Sequence, residues 1–127
     1  MSLETMEPTP TWDSDAHGDT VETLAAHDDL TYRVWGGDWC KDCRAVLPDF
    51  AAALDAAGVP EDRIEQYPVE REDGEKVGPK VEEYGIELIP TIIVERNGDE
   101  VARFVESADR PAAAVIADQL DELDATA

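Results

Sequence analysis

The stretch Trp39-Cys40-Lys41-Asp42-Cys43 decides the fold, because it lies where a predicted strand ends and a predicted helix begins. Residues 30–35 alternate as a strand does, and the glycines that follow break this pattern. From residue 40 to residue 57 the apolar residues recur at helical spacing. The first cysteine therefore falls at or near a helix N-terminus. The second lies one turn deeper on the same face, where the two sulfurs can form a disulfide.

The helix end makes the two cysteines chemically unequal. Free backbone N–H groups and the positive end of the helix dipole favour a thiolate at Cys40. Lys41 also favours the thiolate, whereas Asp42 opposes it. Cys43 lies inside the turn and is expected to stay protonated longer, so we predict that Cys40 reacts first and Cys43 second.

Cysteine usage limits the other interpretations of the pair. The chain has 127 residues, enough for one domain with a buried core, and only 2 cysteines, so it has no structural disulfide framework. This usage suits a reducing cytosol. A zinc site needs further soft ligands, and the spacing of His17 and His27 fits no ordinary zinc pattern. We therefore predict no metal and interpret both histidines as solvated.

The chain is strongly acidic, with 31 Asp and Glu against 10 Lys and Arg and a formal charge of −21. This charge excludes a nucleic-acid binder that neutralises phosphates, and it argues against an anionic membrane surface as a partner. No apolar run is long enough to span a bilayer, and we expect no signal peptide. Acidic residues along the whole chain are typical of halophilic, haloarchaeal cytoplasmic proteins, because concentrated salt screens their repulsion. An acidic mesophilic protein is the alternative.

The remaining patterns predict one α/β domain with the order α-β-α-β-α-β-β-α. Residues 1–18 are interpreted as an acidic, flexible leader and residues 19–127 as the folded domain. In the first half we predict a helix capped by Asp19 or Thr20 with Val21, Leu24 and Ala25 on one face, a strand at 30–35, a helix at 40–57 that contains Pro48, and a strand at 64–70 that contains Pro68. In the second half we predict a short helix through Val77, Val81 and Tyr84, strands at 91–96 and 100–106 joined by Asn97-Gly98, and a helix capped by Asp109, with Pro111 in its first turn and Ile116, Leu120 and Leu123 facing inward.

Several of these features stand in the order that characterises one family. Trp39 directly precedes the first cysteine, and Pro48 lies inside the helix that follows. Tyr84-Gly85-Ile86 leads into Ile89-Pro90-Thr91, and Asn97-Gly98 marks the hairpin turn. From about residue 20 to residue 123 the chain resembles the thioredoxin family. The resemblance implies a thioredoxin fold, in which a mixed sheet of four to five strands is flanked by helices on both faces.

The resemblance also implies a role for each site residue. Cys40 is the expected nucleophile towards a substrate disulfide, and Cys43 is the expected resolving thiol. Trp39 is expected to cover the site, and Pro90, in a cis peptide with Ile89, is expected to lie against the sulfurs. The backbone of Ile89 is expected to pair with an extended segment of substrate.

The implied function is that of a cytoplasmic, monomeric protein-disulfide reductase. Its partners are expected to be disulfide-containing proteins and a separate, thioredoxin-reductase-like electron donor, because the sequence has no dinucleotide or flavin motif and no cofactor of its own. Two alternatives stay open. One is a glutaredoxin-like carrier of a small thiol, and the other is a redox-inert module that binds extended peptide.

Some positions depart from the family pattern. Val34 and Gln66 stand where typical thioredoxins have a buried acid and its lysine partner, so the usual acceptor for the Cys43 proton is missing. Glu106 replaces a small residue beside the substrate groove. No initial edge strand is predicted, and its loss would turn the strand at 64–70 into an edge strand, where Pro68 is tolerated.

The charge of −21 predicts that stability depends on salt. Repulsion between carboxylates grows as the Debye length rises from about 3 Å at 1 M salt to about 10 Å at 0.1 M. We expect the melting temperature to fall when salt is lowered below about 0.5 M. Thermal unfolding in a KCl series measures this, and an equal melting temperature in dilute buffer and in molar KCl would contradict the halophilic interpretation.

Overall fold

The computed structural model describes residues 6, 9, 12, 14–27, 29–37, 40–72, 75–78, 80–105 and 112–126. In chain order its elements are α1 (Gly18–Ala26), β1 (Leu30–Gly36), α2 (Lys41–Ala56), β2 (Ile64–Pro68), β3 (Glu70–Glu72), β4 (Glu75–Val77), α3 (Val81–Tyr84), β5 (Thr91–Arg96), β6 (Asp99–Val105) and α4 (Ala112–Thr126). Short 3₁₀ turns cover Ser14–His17 and Glu61–Arg63.

Strands β2, β1, β5 and β6 form one sheet in that spatial order. β1 runs parallel to β2 and antiparallel to β5, and β6 runs antiparallel to β5. β3 and β4 pair separately as a short hairpin. The predicted α/β fold is therefore confirmed, with a mixed sheet of 4 strands.

Two local sequence signals, a proline and a turn dipeptide, agree with the observed strand order. β2 is an edge strand of the sheet, and only at an edge is Pro68, which has no N–H to donate, easily accommodated. Asn97 and Gly98 join β5 to β6 with φ angles of 54° and 88°. Positive φ at both central residues is the type I′ turn, whose twist matches that of the paired strands.

The two faces of β1 have different partners. On one face Tyr32 packs against Phe50 of α2, with ring centroids 6.1 Å apart. On the other face Trp35 stacks on Tyr67 of β2 and contacts Tyr84 of α3. Helices therefore flank both faces of the sheet. The core on the α2 side also includes the buried side chains of Val34, Leu47, Leu54, Ile92, Phe104, Ile116 and Leu120.

The structure corrects the predictions for three elements. Val77 belongs to β4, and the short helix covers Val81–Tyr84 alone. The β3–β4 hairpin has strands of 3 residues that are mostly charged, so no apolar alternation signalled it. α1 begins at Gly18 behind a 3₁₀ turn, and its N-cap His17 makes no side-chain capping bond, so neither Asp19 nor Thr20 caps it. Ala25 is exposed and does not face the core.

The N-terminal residues that the structure describes contact the domain. Met6 is buried, and Trp12 packs against the core and stacks on His17 with ring centroids 4.8 Å apart. His27 Nδ1 lies 2.9 Å from Arg96 Nη2. Both histidines are half-buried, and each ring has a protein partner that the sequence alone does not place. The division of the chain at residue 18 stays a prediction.

The predicted cap Asp109, the predicted first-turn residue Pro111, Glu106 and the side chain of Leu123 lie outside the described part of the chain. Ile116 and Leu120 face inward as predicted. Among the helices that are described, none is both long and apolar enough to cross a membrane.

Gly98→Ala is expected to lower the free energy of unfolding by about 1 kcal/mol, because alanine is strained at positive φ. Gly18→Ala is the matched control, since neither glycine has an atom within 4 Å of the added Cβ and only Gly98 has a positive φ. Urea unfolding at constant salt measures both variants. Equal stability of the two variants would contradict the expectation.

Candidate active site

Cys40 lies at the N-cap of α2, between the end of β1 and the first helical turn. Its backbone is extended, with φ −87° and ψ 123°, and its sulfur accepts a hydrogen bond from the Cys43 backbone N–H at 3.4 Å. The sulfur thus takes the place of the oxygen of an ordinary capping residue. Both cysteines are free thiols, and Cys40 is half-buried whereas Cys43 is fully buried.

Gly37 connects the end of β1 to both cysteines. Its carbonyl accepts a hydrogen bond from the Cys40 N–H at 3.0 Å. Its own N–H donates to the Cys43 sulfur at 3.4 Å. The neighbouring Gly36 carbonyl accepts from the Val69 N–H at 2.8 Å, which ties this segment to the chain after β2. The position of Gly37 therefore sets the positions of both cysteines.

The loop before β5 forms the other side of the site. The Ile89–Pro90 peptide is cis, and both residues are buried. The Cys40 thiol lies within 3.9 Å of the Ile89 carbonyl oxygen, to which it donates. Thr91 Oγ1 donates to the Leu88 carbonyl at 2.6 Å and so closes the loop. The structure therefore brings together Cys40, Cys43 and the Ile89–Pro90 segment.

Burial dominates the electrostatics of Cys43. Removal from water raises the pKa of the Cys43 thiol to about 12, and the N–H of Gly37 opposes this rise while Cys40 and Asp42 add to it. Val34 is fully buried on β1 and pairs in register with Gln66 of β2. The two departures from the family pattern thus lie side by side, where an apolar residue replaces the buried acid.

The structure describes some of the predicted supporting residues but not all of them. Lys41 and Asp42 are exposed on the first turn of α2. Trp39 lies outside the described residues. Within the described ranges, no group of three or more histidine, cysteine and acidic side chains could hold a metal ion.

An apolar surface beside the loop was not predicted. Leu88 and Val105 are 44% and 40% exposed, and they are the large hydrophobic side chains that the described structure leaves open to solvent. Leu88 directly precedes Ile89, and Val105 pairs in register with Thr91. Leu88 could have been found from its place before Ile89-Pro90, but the exposure of Val105 depends on the sheet.

Comparison with known proteins agrees with this geometry. The family described as Thioredoxin matches residues 20–121, which is well over half of the chain. The chain belongs to the thioredoxin family. A search of curated proteins found no significant match to this thioredoxin-family chain.

Solved structures that resemble the chain have low sequence identity to it. A protein of unknown function from Pseudomonas aeruginosa is 18% identical with a TM-score of 0.54, over 90% of this chain and 79% of that one. A thioredoxin variant from Halobacterium salinarum is 18% identical with a TM-score of 0.48, over 96% and 95% of the two chains. A thioredoxin from Trypanosoma brucei brucei is 12% identical with a TM-score of 0.47, over 98% and 97%. At such identities the likeness concerns the fold alone.

The two cysteines are expected to differ in alkylation rate. Cys40, studied in Cys43→Ser, should be labelled faster at every pH, because its sulfur is accessible at the positive end of α2. Cys43, studied in Cys40→Ser, should be labelled at a rate that keeps rising with pH up to pH 10, because only the thiolate reacts and burial raises the pKa of this thiol.

Timed alkylation followed by mass spectrometry measures both rates, with the urea-unfolded variants as controls for intrinsic reactivity. Equal rates in the folded variants, or a plateau for Cys43 below pH 10, would contradict the assignment.

Proposed function

We propose that this thioredoxin-family protein is a thiol-disulfide oxidoreductase that reduces protein disulfides through Cys40 and Cys43. The observation that supports this most directly is the unequal placement of the two thiols. Cys40 is half-buried at the start of α2, and Cys43 is fully buried one turn deeper, with its backbone N–H 3.4 Å from the Cys40 sulfur.

The first step is attack by the Cys40 thiolate on one sulfur of a substrate disulfide. A bond forms between Cys40 and that sulfur, the substrate S–S bond breaks, and the other substrate sulfur leaves as a thiolate that takes a proton from solvent. Cys40 is the more accessible of the two thiols, because it is half-buried at the N-cap of α2 whereas Cys43 is fully buried. Cys40 therefore acts as the nucleophile.

The second step is attack by Cys43 on the Cys40 sulfur. The Cys40–Cys43 disulfide forms, the mixed disulfide breaks, and the second substrate thiolate leaves, while the Cys43 proton is released. The substrate gains two electrons and the protein loses two. Because Cys43 is held one turn from Cys40, its effective concentration is very high.

An extended protein segment is the proposed substrate. The cis Ile89–Pro90 segment faces Cys40, and the backbone of Ile89 is proposed to pair with the substrate main chain. The exposed Leu88 and Val105 add an apolar surface on which substrate side chains can pack. Trp39 is proposed to cover the site, as the resemblance to the family implies.

Electrons are proposed to come from a separate reductase of the thioredoxin-reductase kind. The sequence has no dinucleotide or flavin motif that could supply them within the chain. The protein is proposed to act as a monomer in a salt-rich, reducing cytoplasm, because it has 2 cysteines and a charge of −21.

Reduction of insulin by dithiothreitol in molar KCl tests the proposal. The wild-type protein should accelerate the reaction, and Cys40→Ser should abolish the acceleration. Cys43→Ser should accumulate a mixed disulfide with the substrate that mass spectrometry detects, because resolution is blocked.

The same assay separates the alternatives. A pair that does not cycle with dithiothreitol would indicate a redox-inert module. Reduction of glutathione disulfide without reduction of insulin would indicate a glutaredoxin-like carrier.

A further inference from the structure

A polar cluster lies on the sheet face opposite α2. Arg33 of β1 is its centre: Nε donates to Glu95 Oε1 at 2.6 Å, and Nη1 donates to the Tyr67 hydroxyl at 2.5 Å and also to Glu65. The Tyr84 hydroxyl donates to Glu95 Oε2 at 3.3 Å, and the guanidinium carbon lies 5.7 Å from the centroid of the Tyr84 ring. We name these residues the Arg33 cluster.

The cluster is held in one arrangement because its central charges are shielded from water. The side chains of Arg33 and Glu95 are 20% and 9% exposed. Burial lowers the pKa of Arg33, but the bonds to Glu95 and Tyr67 outweigh this effect and raise it, so the guanidinium stays charged. Separating a shielded pair would leave a charge without its partner, which is costly.

The cluster orients two aromatic rings against a third. Tyr67 stacks on Trp35 with centroids 4.7 Å apart, and Tyr84 contacts Trp35 at 5.1 Å. The hydroxyl of each tyrosine bonds to a member of the cluster, and its ring touches Trp35. Trp35 itself is fully buried, and these ring contacts contribute to its position together with its pairing to β2 and β5.

Trp35 is two residues before Gly37, the residue that contacts both cysteines. Between them, Gly36 is anchored by the Val69 N–H at 2.8 Å. The end of β1 thus leads from Trp35 directly to the Gly37 N–H, which lies 3.4 Å from the Cys43 sulfur.

We propose that Arg33, Tyr67 and Tyr84 are positioning residues for the resolving cysteine, because they hold Trp35 and thereby aim the Gly37 N–H at the Cys43 sulfur. This inference rests on the proposed function. In the resolving step the Cys43 thiolate attacks Cys40, the mixed disulfide breaks and the substrate thiolate leaves. A correctly placed N–H stabilises the Cys43 thiolate, so its displacement slows this step.

Two conservative variants test the positioning. Tyr67→Phe and Tyr84→Phe each remove a hydroxyl and keep the ring that packs on Trp35. Tyr32→Phe is the matched control, because Tyr32 is next to Arg33 on the opposite face of β1 and its buried hydroxyl has no hydrogen-bond partner among the described residues.

One equivalent of Ellman's reagent follows both steps in the full-length protein. Attack by Cys40 releases the first thionitrobenzoate, and ring closure by Cys43 releases the second. We expect the second phase to slow by about threefold to tenfold in Tyr67→Phe and Tyr84→Phe, which is the effect of one weakened hydrogen bond. The first phase, and both phases of Tyr32→Phe, should match the wild type.

Melting temperatures of all four proteins distinguish positioning from stability. A lower melting temperature with an unchanged second phase would overturn the inference, as would equal slowing in Tyr32→Phe. A wild type that releases both equivalents, with variants that match it, would overturn this inference alone. A wild type that releases no second equivalent would overturn the proposed function and the inference together.

Discussion

The hydrogen bond from the Cys43 N–H to the Cys40 sulfur is the contact on which the site depends. The first turn of a helix has N–H groups without helical acceptors, and here a sulfur serves as one of those acceptors. The contact that begins α2 therefore also holds Cys40 at the positive end of the helix and Cys43 beside it. Gly37 completes the arrangement because it bonds to both residues and so connects the end of β1 to the start of α2.

Near the site, the charged side chains that the structure describes on the sheet lie on the face opposite α2. Val34 and Gln66 pair on the face that packs against α2, and neither carries a charge. Arg33 and Glu95 are paired on the opposite face. Typical thioredoxins have a buried acid and a lysine partner at these two positions. A single unpaired charge in the core beside α2 would be costly, which agrees with the absence of both. The consequence is an apolar environment for Cys43 and a raised pKa.

Acidic side chains are rare in the core that the structure describes. Glu95 and Thr91 are the buried polar residues among those described, and Glu95 is paired with Arg33. Among the residues whose burial is described, the acidic side chains other than Glu95 thus lie outside the core. We therefore expect the predicted dependence on salt to be separable from the proposed chemistry of the cysteines, because one concerns repulsion between carboxylates and the other concerns bonds at the start of α2.

Local signals in the sequence determined much of the fold. The strand predicted at 91–96 agrees with β5, and the Asn97-Gly98 turn is present, because a turn with positive φ needs only the residues that form it. The placement of Cys40 at the start of α2 followed from glycines that end a strand and a helical pattern that begins after them. Pro68 indicated the edge strand because its missing N–H is a property of that residue alone.

Tertiary structure alone decided the contacts between distant segments. In the sequence, nothing connects Arg33, Tyr67 and Glu95, which belong to three separate strands. They meet because β1 lies between β2 and β5 in the sheet. The exposure of Val105 has the same origin, since it depends on the register of β6. A sequence pattern records the period of each element but not the register between elements, so the residues that meet across strands become known only from the folded chain.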